Sequence, residues 1–179
     1  MPRYVAFLRG INLGRRRLSM DRLRTVVGEL GYADVTTFIA SGNVLFSTRA
    51  TKSAVLEARI TKHLEASLGY PVDTFVRTAA EVTAIAAAKL FPEDGDEVCT
   101  IHVGFLHREL PPATARALAA IRTATDAFRV TGREFYWLCR IRTSESKVWT
   151  SPEIRALRLP TATMRNFTSV RKLVAKHLD

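Results

Sequence analysis

Seven residues carry side chains suited to holding an anion: Arg9, Asn12, Ser41, Asn43, Lys147, Arg165 and Asn166. Arg9 closes the apolar run Tyr4-Val5-Ala6-Phe7-Leu8 and shares its phase with Val5 and Phe7, but its place at the end of the run lets the guanidinium leave the core. Asn12 follows between Gly10 and Gly14, in a loop whose backbone N–H groups can turn towards an anion. Ser41 and Asn43 flank Gly42 in a second turn. Arg165 and Asn166 stand where the last helix begins, and the helix dipole and free N–H groups there favour negative charge. Converging with Lys147, these side chains would bind a small phosphate- or carboxylate-bearing ligand in a cationic cleft between two halves of the chain. Arg9 and Arg165 would supply charge, and the asparagines and Ser41 would orient. The competing reading is structural, with the arginines paired to carbonyls or carboxylates and Asn12 and Asn43 satisfying turn backbones.

No reaction is spelled out beside them, and the catalytic residues remain unassigned. Gly10 and Gly14 have three residues between them rather than the four of a P-loop, and no Lys-Ser or Lys-Thr follows. Ser41 lacks a Gly-x-Ser-x-Gly turn and reads as a turn residue rather than a nucleophile. His63, His102, His107 and His177 lack metal-ligand spacing with one another or with Cys99 and Cys139, so no metal and no cofactor is expected. Pro2 would become a terminal base only on loss of Met1, which nothing else supports. The turn-rich stretch from Pro92 to Glu97 lacks the alternating oxygen ligands of a calcium loop and reads as a solvated acidic linker.

The elements that must position these residues are legible as periodicities. Arg3 to Arg9 is a strand, Ser19 caps a helix ending by Gly31, and two strands, Asp34 to Ala40 and Asn43 to Ser47, meet at Ser41-Gly42. Lys52 to Leu68 is a second helix and Val72 to Arg77 a fourth strand. That order is a split βαβ unit, as in ferredoxin-like folds. The capping box Thr78-Ala79-Ala80-Glu81 opens a helix to about Leu90. The pattern then restarts: a strand from Val98 to His107, a helix from Pro112 to Thr123, and a hairpin of Ala127 to Val130 with Glu134 to Arg142. A short helix follows at Pro152, Pro160 interrupts it, and Asn166 caps the last helix. The expected class is α+β, with two ferredoxin-like halves in tandem, the second incomplete or modified. The halves are 1–77 and 98–179, joined by a helix and linker over 78–97.

With 47% hydrophobic residues the chain has enough for a core, and no apolar stretch nears the roughly 20 residues needed to cross a bilayer. The N-terminus is a strand rather than a secretory leader, so the expected setting is cytoplasmic, with no membrane partner. Cys99 and Cys139 fall in phase with apolar strand neighbours and read as buried structural thiols. The net charge of +10 comes from 21 Arg and 6 Lys against 17 acidic residues, and this Arg-rich balance also fits a GC-rich genome. Positions 1–24 hold seven arginines against Asp21, and 140–172 hold eight basic residues against Glu145 and Glu153. A basic nucleic-acid-binding module is therefore the rival reading, with Tyr136, Arg140 and Arg142 on a shared strand face.

Three stretches give the chain a likeness. Tyr4-Val5-Ala6-Phe7-Leu8-Arg9-Gly10-Ile11-Asn12-Leu13-Gly14, then Thr37-Phe38-Ile39-Ala40-Ser41-Gly42-Asn43-Val44-Leu45-Phe46, and the late Thr163-Met164-Arg165-Asn166-Phe167-Thr168-Ser169-Val170 together resemble the bacterial family known as domain of unknown function 1697. The resemblance implies a ferredoxin-like α+β fold in two related halves and no particular activity. The family commonly reads glycine and lysine where this chain has Arg15-Arg16-Arg17, and tryptophan and asparagine at Phe167 and Thr168.

Overall fold

A computed structural model describes residues 1–50 and 52–179. They form two compact units, the first being Met1–Ile85 with His177–Asp179 and the second Ala86–Lys176. Each unit is mixed α+β, a four-stranded antiparallel sheet with flanking helices.

The first unit runs β1 (Arg3–Arg9), α1 (Met20–Gly28), β2 (Ala33–Phe38), β3 (Asn43–Ser47), α2 (Ser53–Leu68) and β4 (Asp73–Thr78), with sheet order β2-β3-β1-β4. Tyr4, Ala6, Leu8, Val44, Phe46 and Val76 face one way and pack with Leu23, Val26 and Val27 of α1 and Leu56, Ile60 and Leu64 of α2. Val5, Phe7, Leu45 and Phe75, in the opposite phase, are buried as well. Burial on both faces is why β1 reads as an unbroken apolar run rather than an alternation. Ser19 caps α1, its Oγ accepting from the Arg22 N–H at 3.1 Å. Thr78 and Glu81 close the expected capping box at the start of α3 (Ala79–Ala87), which ends three residues short of Leu90.

Three of the four edge strands, β4 and those that hold Arg129 and Arg165, carry side-chain contacts on their own backbone. Glu57, on α2, accepts the Val76 N–H of β4 at 2.9 Å, with the fully buried Arg77 guanidinium 3.8 Å away. Arg77, Arg129 and Arg165 each fold an Nη1 back onto the preceding carbonyl of their edge strand. An open sheet edge is a template for pairing with another chain, and these contacts occupy part of it. Glu57→Ala is expected to lower stability by about 1–3 kcal/mol in urea titrations because a buried N–H loses its acceptor. Glu57→Gln keeps an acceptor and should lose less; equal losses would assign the effect to the charge instead.

The second unit contains β5 (Thr100–Phe105), α4 (Pro112–Ala120), β6 (Asp126–Thr131), β7 (Glu134–Cys139), a 3-10 turn at Val148–Thr150, α5 (Pro152–Leu157), β8 (Thr163–Asn166) and α6 (Phe167–His177), whose last residue belongs to the first unit. Its sheet order is β6-β7-β5-β8. β8 has no counterpart in the expected elements. It is four residues long, and Arg165 and Asn166 give it little strand character, but Thr163 and Arg165 turn inward while Met164 and Asn166 face out. Phe128, Phe135, Trp137 and Cys139 form a core with Leu106, Leu118, Val148 and Ile154.

Cys139 is buried in this core, but Cys99 departs from expectation. It precedes β5 and is half-buried, because its N–H is held in a turn by the Asp96 carbonyl at 3.2 Å. Burial pushes both thiols above their ordinary range, for Cys99 with the added repulsion of Asp96 and Glu93. Neither is an activated nucleophile.

Candidate functional site

A cavity of about 730 Å³ in the second unit lies among α4, the 121–126 connection, Lys147–Val148 and α5. That size suits a small organic ligand. Asp126, at the start of β6, is 2% exposed and organises the floor. Trp137 Nε1 and Ser146 Oγ donate to its Oδ1 at 2.7 and 2.8 Å, and Thr125 Oγ1 and Thr123 Oγ1 to its Oδ2 at 2.5 and 3.3 Å. Burial raises the carboxyl's pKa, but the hydrogen bonds from Thr125, Trp137, Ser146 and Thr123 outweigh it and hold the group below its ordinary value. Asp126 is therefore an anion at neutral pH with every acceptor position taken.

This carboxylate also fixes the segments that bear the cavity's two cations. Thr123, pinned to Asp126 through its side chain and by its N–H on the Asp126 carbonyl at 2.9 Å, follows Arg122 directly. Ser146, pinned to the same carboxylate, directly precedes Lys147. Arg122 and Lys147 both line the cavity with exposed side chains, and Glu153 adds a carboxylate in the first turn of α5. Sequence reasoning missed Asp126, starting the strand one residue later. The available signal was the Thr-x-Thr-Asp spacing of hydroxyls ahead of an acid, which favours local side-chain-to-backbone turns.

The other sequence-derived residues go elsewhere. In the first unit Asn12, Ser41 and Asn43 gather at one end of the sheet. Asn12 Nδ2 donates to the Ala40 carbonyl at 3.0 Å and its Oδ1 accepts from the Leu18 N–H at 2.9 Å. Asn43 Nδ2 donates to the Phe38 carbonyl at 2.8 Å and to Ser41 Oγ at 3.0 Å. The two asparagines thus hold the carbonyls on either side of Ile39, a β-branched residue in the left-handed region at φ 53°. Such a conformation costs about 1–2 kcal/mol, and the clamps offset it. Gly42 is required beside them, since it has φ 82° and a Cβ there would lie 2.6 Å from Ile11 Cδ1. Arg9 is exposed at the end of β1, opposite Asp73 in the sheet register.

In the second unit Arg165 is 7% exposed, donating to Thr163 Oγ1 at 2.8 Å and the Met164 carbonyl at 2.9 Å. Burial lowers its pKa to about 10, which leaves it cationic at neutral pH. Asn166 caps α6, its Oδ1 accepting from the Thr168 N–H at 2.9 Å, and it lines a smaller, polar recess of about 280 Å³. Lys147 is the one residue of the seven that lines the apolar cavity.

Two further expectations need correction. The stretch from Pro92 to Glu97 is not simply solvated. Arg140 holds Glu93 Oε1 through Nε at 3.1 Å and Nη2 at 2.6 Å, and Arg171 grips Asp94 with two hydrogen bonds of 2.7 and 2.5 Å. The guanidiniums beside them lower both carboxyls from their ordinary values. Two of the eight basic residues counted over 140–172 are thereby engaged. Tyr136, expected on an open face, is 2% exposed and meets the Phe167 ring edge-on, centroids 5.9 Å apart. It offers no base-stacking surface. Among the described residues no group of three or more His, Cys, Asp or Glu is placed to hold a metal ion, and no helix is long and apolar enough to cross a membrane.

Comparison with known proteins adds fold and family. The conserved bacterial protein SP0830 from Streptococcus pneumoniae is similar over 98% of this chain and 99% of its own, with a TM-score of 0.73 at 18% identity, a likeness of fold alone. No curated protein matches the chain. A family model described as protein of unknown function (DUF1697) matches residues 1–136, which take in β1 to β6 and the start of β7. The chain belongs to that family of proteins of unknown function, DUF1697.

Proposed function

We propose that the protein binds a small anionic ligand, carrying a carboxylate or phosphate, in the α4–α5 cavity of the second unit, with Lys147 and Arg122 as its anchors. The carrying observation is the Asp126 node, in which one buried carboxylate fixes the segments that bear both cations. Holding the backbone that carries both charges beside an apolar hollow favours binding because less ordering is left to be done when the ligand arrives. Binding is favoured over catalysis because Asp126 has no acceptor position left to move a proton and both thiols are pushed up. We read each unit as ferredoxin-like, a label supported by the orders β2-β3-β1-β4 and β6-β7-β5-β8.

Thermal-shift titration of wild type and Lys147→Ala with short organic acids and organic phosphates tests the reading. Saturable stabilisation by at least one anion, reduced about tenfold or more in apparent affinity by Lys147→Ala, is expected for the loss of a charge-assisted hydrogen bond. Identical responses of the two proteins to every anion would overturn it.

A further inference from the structure

We infer that the cavity's ligand is a monocarboxylate with an apolar body, which deepens the reading above and rests on it. Three observations narrow the class. The walls contributed by Ala117, Ala120, Ile121, Val148 and Leu157 are apolar, and side chains of this kind reward a hydrocarbon body rather than a sugar or polyol. The charges are balanced, because Arg122 and Lys147 share the cavity lining with the Asp126 carboxylate and with Glu153. A dianion enters such a site against two carboxylates, whereas a monoanion needs one cation neutralised in its favour. Finally, the start of α5 is closed to phosphate. Pro152 has no N–H, the Ser151 hydroxyl takes the Ile154 N–H at 3.4 Å, and Glu153 places a negative charge in the first turn. Asp126 contributes field and placement but no lone pair, so the ligand needs no donor group to satisfy it.

Isothermal titration of the full chain with butyrate, hexanoate, octanoate, hexanol and hexyl phosphate tests this class. Affinity should rise about fourfold per methylene along the carboxylates, the fold-change given by about 0.8 kcal/mol per buried CH₂. Hexanol should bind about tenfold or more weakly than hexanoate, lacking the charge-assisted contact. Lys147→Ala and Arg122→Ala should bring hexanoate towards hexanol and leave hexanol unchanged. Glu153→Gln should improve hexyl phosphate more than hexanoate, since removing one negative charge relieves a dianion more than a monoanion. Lys147, Arg122 and Glu153 are all exposed, so folding is not at stake in these variants. Hexyl phosphate binding wild type as tightly as hexanoate, in a Lys147-dependent way, would overturn the monocarboxylate class and leave the anion reading standing. Indifference of every anion to both Lys147→Ala and Arg122→Ala would overturn the two together.

Discussion

Asp126→Ala is expected to destabilise the second unit by about 3–4 kcal/mol, because charged hydrogen bonds are lost and a buried donor is left unpaired. The critical donor is Trp137 Nε1, which cannot turn into an acceptor and sits on a residue only 4% exposed. The hydroxyls of Thr123, Thr125 and Ser146 can rotate to other partners. Asp126→Asn should therefore cost only about 1–2 kcal/mol, since an amide oxygen can face Trp137 and Ser146 while its NH₂ donates to the threonine hydroxyls. Urea denaturation ranks the two variants; equal losses would show that charge, not acceptor geometry, matters at this node.

The acid limb separates them further. The folded carboxyl titrates below its ordinary 3.8, so the unfolded chain takes the proton first and stability present above 3.8 is lost as pH falls through the folded value. Asp126→Asn removes that loss. His102 gives a separate window: it stacks on Trp137 with ring centroids 5.1 Å apart, and burial lowers its pKa from 6.5. The unfolded imidazole protonates first here too, so stability declines as pH drops below 6.5 towards the folded value. That slope should persist in Asp126→Asn. A variant that kept the lower loss and abolished the upper one would contradict the assignment.

The sequence carried the framework further than the site. β1 and β3 were readable to the residue because strong β-formers end at a glycine turn or a polar break, and the start of α1 because Ser19 and Asp21 sit where a cap and first turn need them, although the helix ends at Gly28, short of the expected Gly31. β8 was not, since four residues with an arginine and an asparagine carry no period that stands out from loop; what makes them a strand is the β5 edge they join. The asparagines were located correctly at their turns, but their polar atoms serve the strained backbone around Ile39, a demand that only a φ angle shows. Lys147 was singled out as a cation. Its cavity was not legible, because the walls come from α4, the 121–126 connection and α5, segments that meet only in three dimensions and share no motif.

Gly104→Ala is the second substitution expected to act strongly, at about 2–3 kcal/mol, the upper part of the range of overpacked cores. Gly104 faces Phe135 across β5 and β7, and a Cβ there would lie 2.1, 2.3 and 2.6 Å from the ring's Cζ, Cε1 and Cε2. The ring lies across the glycine and cannot simply swing away, being 3% exposed and packed against Trp149 at a centroid distance of 5.8 Å. Phe135→Leu removes the ring atoms that clash, so Gly104→Ala should be less damaging in that background, with a coupling of about 1–3 kcal/mol in a double-mutant cycle. If the proposed anion binding holds, the effect should also reach it. Trp149 sits in the 3-10 turn that begins one residue after Lys147, and a displaced Phe135 presses on it. Gly104→Ala is thus expected to weaken the Lys147-dependent binding of a carboxylate, and the double variant to recover part of it. Additive stabilities in the cycle would mean that the ring accommodates the methyl by turning in place; unchanged binding in Gly104→Ala would mean that Lys147 is held by Ser146 and Asp126 alone.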